Sequence, residues 1–165
     1  MSNDCQFPKK SKSKRVAVAV AALIDDAIQD DVECTAAPDL NYEQVNQRQI
    51  VCWPENRRVT PETRKLVTAE YTIAVAVLER LKPSVAQDDL TDELLAIAES
   101  IGDDLLHANV TTMLYDNETE CTGTITEFDH TPLYNREVLE ELKIFAGGIL
   151  LTVRRSEPVR PKRCK

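Results

Sequence analysis

Two histidines, five cysteines and several paired aspartates are the residues in this 165-residue sequence best suited to chemistry. His130 lies in Phe128-Asp129-His130-Thr131-Pro132, where Asp129 is placed to pair with it, and Tyr134 follows four residues on. If Asp129, His130 and Tyr134 converged in a pocket, they would supply a general acid or base. Yet neither His130 nor His107 has a neighbour at the spacing of a metal ligand set or a nucleophile–base pair. His107 falls at the end of an expected helix, where a cation suits the dipole without any site. Cys5, Cys34, Cys52, Cys121 and Cys164 are odd in number and include no C-x-x-C pair, so they suit free thiols in a reducing cytosol better than zinc or a disulfide scaffold. Asp25/Asp26, Asp30/Asp31, Asp88/Asp89 and Asp103/Asp104 lack the surrounding D-x-D-x-D-G loop of a calcium site and are expected at solvated helix ends. Of four glycines, Gly147-Gly148 sits within a strand pattern, which points to a bulge or close backbone approach rather than a phosphate-cradling loop. The expectation is a protein with no catalytic residue, no metal and no cofactor.

The charge is segregated. Of 20 Lys and Arg and 28 Asp and Glu, residues 1–15 and 154–165 together take eleven bases and two acids. The middle, 16–153, keeps nine bases against 26 acids, an excess of 17 negative charges. So acidic a body repels nucleic-acid phosphate. The two basic ends are expected to be disordered tails, 1–14 and 156–165, with at most a weak contact to DNA. A short apolar run, Val16 to Ile24, follows the basic stretch as in a secretory signal. It is short of the roughly 18–20 residues of a membrane span, and its helical period continues through Ile28. No membrane role is expected.

Apolar positions Val16, Val20, Leu23, Ile24, Ala27 and Ile28 repeat at three- and four-residue steps and predict a first helix. Residues 48–53 are β-prone, and a polar loop bracketed by Pro54 and Pro61 follows. Leu66 to Leu81 is the clearest strand: Tyr71, Ile73, Val75 and Val77 point one way, and Thr72, Ala74, Ala76 and Leu78 the other. A second helix is predicted from Thr91, with Thr91 or Asp92 as its cap and Leu94, Leu95, Ile97, Ala98, Ile101, Leu105 and Leu106 as its buried stripe. Residues 110–128 read as weaker strand, 135–142 as one short helical turn, and Phe145 to Val153 as a terminal strand.

One α+β domain over 15–155 follows, an antiparallel sheet of about four strands with two amphipathic helices packed on one face. Trp53 is expected at a core edge or a subunit contact. Arg57, Arg58, Arg64 and Lys65 gather on the predicted hairpin tip and are candidate contacts for an acidic neighbour. Ala74 and Ala76, small residues on the second sheet face, are candidate contacts between copies.

The run Glu70-Tyr71-Thr72-Ile73-Ala74-Val75-Ala76-Val77, the acidic-start helix Thr91 to Ile101, and Thr131-Pro132-Leu133-Tyr134 leading through a charged turn to Phe145 and the final Thr152-Val153-Arg154 resemble the tail terminator (tail completion) proteins of tailed phages. The resemblance spans about residues 16–155 and leaves out the basic tails and the cysteines. It implies a structural virion protein, not an enzyme, made in the bacterial host cytoplasm. It further implies a homo-oligomer, a hexameric ring at the head–tail neck that touches the tail tube protein and the neck or head-completion protein. Other neck or minor tail subunits, and a non-viral cytosolic adaptor, are the alternatives; ring formation separates them.

Overall fold

The computed structural model describes residues 11–29, 31–37, 40–84, 86–114, 119–130 and 134–159. The elements are α1 (Lys12–Ile28), β1 (Val32–Cys34), β2 (Gln49–Pro61), β3 (Leu66–Arg80), α2 (Gln87–Leu105), β4 (Asn109–Met113), β5 (Glu120–Asp129), α3 (Arg136–Leu142) and β6 (Ile144–Pro158), with a 3-10 turn at Tyr42–Gln44. The protein is α+β, with one mixed six-stranded sheet in the order β1-β2-β3-β6-β5-β4.

The expected four antiparallel strands account for five of these six. The three-residue β1 adds a parallel edge, Val32, Glu33 and Cys34 opposite Ile50, Val51 and Cys52. The stretch 110–128 divides into the hairpin β4–β5. The predicted polar loop 54–65 is largely strand: β2 pairs with β3 up to Pro61 opposite Val67, leaving only 62–65 as the turn. A bulge between Pro54 and Asn56 re-phases β2, and both prolines stand where β1 no longer covers its outer edge, so neither removes a ladder hydrogen bond.

Both long helices lie on one face, as their apolar periods require. α1 buries Val16, Ala17, Val20, Ala21 and Ile24. α2 buries Leu90, Leu94, Ala98, Ile101 and Leu105, while Leu106 is exposed just beyond the helix end. That helix begins at Gln87 rather than Thr91, because Leu90 extends the stripe by a turn. These side chains meet Ile50 and Cys52 of β2, Tyr71, Ile73, Val75 and Val77 of β3, Ile125 of β5, and Phe145, Ile149, Leu151 and Val153 of β6 in one core. α1 touches both sheet edges, β1 and β4, so the sheet curls around it.

A second, smaller core covers one end of the opposite face. Val45, Ala76, Leu78 and Ile144 form it, with Leu40, Tyr42, Trp53 and Val138 packed against them. The short helical turn expected near 135–142 is α3, capped by Asn135, whose side chain accepts from the Val138 N–H. Trp53 is thus at a core edge, its Nε1 donating to Glu55 at 2.9 Å. The Pro132-Leu133 corner lies outside the described residues, as do Cys5 and Cys164. No described helix is long and apolar enough to cross a membrane.

Candidate functional site

Regular elements reach into both predicted tails, 1–14 and 156–165. α1 begins at Lys12, with Ser11 capping the Lys14 N–H, and β6 continues to Pro158. Bases in a first helical turn oppose the dipole, and here their side chains are used as anchors. Lys12 Nζ donates to Glu157 at 2.6 Å, Lys14 Nζ to the Cys34 carbonyl at 2.6 Å, and Arg15 to the carbonyls of Met113 and Leu114. One turn of helix is therefore tied to β6 at the sheet centre and to both edges.

Glu157 is 0% exposed and lies on the core face of β6, in step with Leu151, Val153 and Arg155. Its carboxylate accepts from Lys12, from Tyr71 Oη, from Arg155 Nε at 2.8 Å and from Arg57 Nη2 at 3.3 Å. Arg155, whose side chain is also fully buried, donates onward to Thr112 Oγ1 at 2.6 Å and to the Cys121 carbonyl at 3.4 Å. Two guanidinium groups approach the Tyr71 ring, Arg155 at 5.0 Å and Arg57 at 5.4 Å from its centroid, both within cation–π range. Gly123 makes room for this: a Cβ there would stand 2.9 Å from the Arg155 Cβ and 2.9 Å from the Arg154 carbonyl oxygen.

Burial alone would raise the Glu157 carboxyl; the hydrogen bonds from Lys12 and Tyr71 and the charge of Arg155 outweigh it and hold it down at about 2. The same burial, reinforced by the hydrogen bond to Glu157, pushes the Tyr71 hydroxyl up. Desolvation opposes the Arg155 charge, but Tyr71 and Glu157 outweigh it and raise that group. A carboxylate with four donors, reached from α1, β2, β3 and β6, is a structural clasp. It fastens the first turn of α1, β2 and β3 to the end of β6, close to the β2–β3 turn.

The candidate contacts separate accordingly. Arg57 serves the clasp: it pairs with Glu157 and its Nε donates to Tyr71 Oη at 3.2 Å. Arg58 stands in a cross-sheet row with Glu70 and Arg154. Arg64 and Lys65 are exposed in the turn itself. Ala74 and Ala76 are each 5% exposed, and Ala76 is covered by the chain's own Val45 and Ile144 cluster. Ala76 is small because the 3-10 segment and α3 approach the sheet there, so it is not open to another copy.

Among the described residues His130 makes no side-chain hydrogen bond to Asp129 or Tyr134. His130 meets Phe128 edge-on with ring centroids 5.2 Å apart, and both its ring nitrogens are buried without a hydrogen-bond partner among the described residues. Tyr134 stacks on Phe145 at 5.8 Å. His107 lies beyond the end of α2 in a left-handed backbone conformation, its N–H donating to the Ile125 carbonyl at 2.8 Å.

Sequence reasoning missed Glu157, Arg155 and Lys12, all assigned to tails or their margins. The signal was present in the two-residue alternation Leu151, Val153, Arg155, Glu157, which continues the buried face of β6 past its apolar part. The chain matches no protein-family model and no curated protein sequence.

Proposed function

We propose that this chain is a structural subunit of a tailed-phage particle, a tail terminator or tail completion protein. In this reading it forms a hexameric ring at the neck, caps the tail tube and joins it to the head connector. The observation that carries the reading is the opposition of charge between two surfaces. The tip of the β2–β3 arm exposes Arg64 and Lys65, while its acids are engaged, Glu62 by Ser156 at 2.8 Å and Glu70 by Arg154 at 3.9 Å. The exposed sides of α2 and α3 carry Asp88, Asp89, Asp92, Glu99, Asp103, Asp104, Glu137 and Glu141. Two different complementary patches on one chain suit a heterologous, head-to-tail contact, and such a contact closes into a ring when its rotation permits. The resemblance of β3, α2 and the α3–β6 segment to terminator proteins supports the same assignment.

Light scattering of the purified chain at low and high salt, alone and with tail tube protein, tests this. A six-subunit species, or a monomer that assembles on tube protein, is expected, and salt weakens it by screening. Arg64→Glu with Lys65→Glu abolishes assembly while leaving the melting temperature of the monomer unchanged. A monomer indifferent to tube protein at both salts refutes the assignment in favour of an adaptor or another neck subunit.

A further inference from the structure

The parallel register of β1 and β2 sets Cys34 opposite Cys52, so both side chains project to the same side of the sheet, beneath α1. Neighbouring strands run about 4.8 Å apart, within the 4.4–6.8 Å Cα separation that a disulfide spans. The surroundings of the two thiols differ. Cys52 is 0% exposed, and its Sγ–H donates to the Ala17 carbonyl at 3.2 Å. Cys34 is half-buried and borders a groove of about 620 Å³ between α1 and the start of β2. Lys14 Nζ stands 3.4 Å from the Cys34 sulfur. One thiol thus has solvent access and a cation beside it, and the other is sealed and adjacent.

We propose that Cys34 and Cys52 form a reversible redox pair, in which Cys34 is the sulfur attacked from solvent and Cys52 the sulfur that closes the bridge. The oxidant is hydrogen peroxide. The Cys34 sulfur, beside the Lys14 ammonium, attacks a peroxide oxygen as its thiolate; the O–O bond breaks, and Cys34 becomes a sulfenic acid as hydroxide leaves and takes a proton to form water. The Cys52 sulfur then attacks the sulfenic sulfur. The S–O bond breaks, the hydroxyl leaves with the Cys52 proton as a second water, and a disulfide remains. Burial, with the Cys34 neighbour second, pushes the Cys52 thiol up, which keeps it protonated until that step. The bridge turns β1, held to β2 by a three-residue ladder, into a covalently tethered edge, and it removes the S–H bond from Cys52 to α1. This inference stands independently of the virion assignment.

The test uses the full chain treated with hydrogen peroxide, followed by alkylation of free thiols and mapping of unreduced peptides. Two of the five thiols are expected to disappear together, with a cross-linked peptide joining Cys34 to Cys52, and dithiothreitol restores both. Cys52→Ser stops at a Cys34 sulfenic acid that dimedone traps. Lys14→Gln slows the loss of the Cys34 thiol severalfold, and Lys14→Arg restores the rate. Loss of Cys34 no faster than Cys121 overturns the proposal. So does a cross-link from Cys34 to Cys5 or Cys164 instead, or a wild-type chain that halts at the sulfenic acid. The wild-type peptide map decides the matter even if a variant fails to fold.

Discussion

Replacing Glu157 with Gln keeps the shape of the clasp and removes the negative charge at its centre. The side chain is fully buried, and Lys12, Arg57 and Arg155 all point at it. Breaking a buried ion pair costs about 3–5 kcal/mol; here Arg155 alone stays buried without its carboxylate, while Lys12 and Arg57 are partly exposed, so the lower end of that range applies. Linkage puts a figure on the same contacts. The Glu157 carboxyl falls from an ordinary 4.5 to about 2 on folding. A depressed carboxylate stabilises above its unfolded value and loses that contribution as pH falls, and a fall of this size is worth about 3 kcal/mol at neutral pH. The two figures agree. With a denaturant slope near 2 kcal/mol per molar urea, the Glu157→Gln midpoint should lie about 1.5 M below wild type at pH 7. The gap between the two proteins should narrow between pH 4.5 and 2, where the wild-type carboxylate takes up its proton. Equilibrium urea titrations across that range provide the check. A midpoint drop under about 0.5 M at neutral pH, or a gap that stays constant through the acid range, refutes the clasp as an energetic element.

Two glycines on neighbouring strands make a paired prediction. Gly123→Ala drives a Cβ to 2.9 Å from the Arg154 backbone oxygen and should cost about 1–3 kcal/mol. Gly148→Ala meets nothing within 4 Å and should change stability by less than about 0.5 kcal/mol, both read from thermal melts. Asn135→Ala removes the side-chain acceptor for the Val138 N–H and should cost about 1 kcal/mol. Hydrogen exchange should show the first turn of α3 losing protection before the central strands do.

Much of the fold was legible because burial on one face writes itself as a period. Tyr71-x-Ile73-x-Val75-x-Val77 announces β3, and Leu94, Ala98, Ile101 and Leu105 announce α2. The misses share a cause. Asn56, Arg57 and Arg58 carry no apolar alternation, so their strand identity comes wholly from pairing with β3. Val32 to Cys34 is too short to show any period and exists as a strand because β2 offers it an edge. Arg155 and Glu157 alternate as a strand does, but with charges where a core position calls for apolar residues, so they resemble a solvated tail. Arg57 was singled out for its charge on an exposed tip; it stands within the paired strands opposite Tyr71, where its guanidinium is half-exposed and pairs with Glu157. Arg64 and Lys65 lie at the tip as expected.

The clasp also has a consequence for how the chain is made. Lys12 and Glu157 are separated by 145 residues, yet each is the other's partner. β3 and β6, the central pair of the sheet, are likewise far apart along the chain. During synthesis α1 leaves the ribosome early, with a basic first turn that works against its own dipole and no carboxylate to receive it. Lasting closure must wait until residue 157 has emerged, so the native state forms late and through long-range pairings, the slow regime of folding. A nascent chain halted a few residues before Glu157 should hold its helices in a loose, protease-sensitive form. Extending it past that residue should lock the two ends together in one cooperative step.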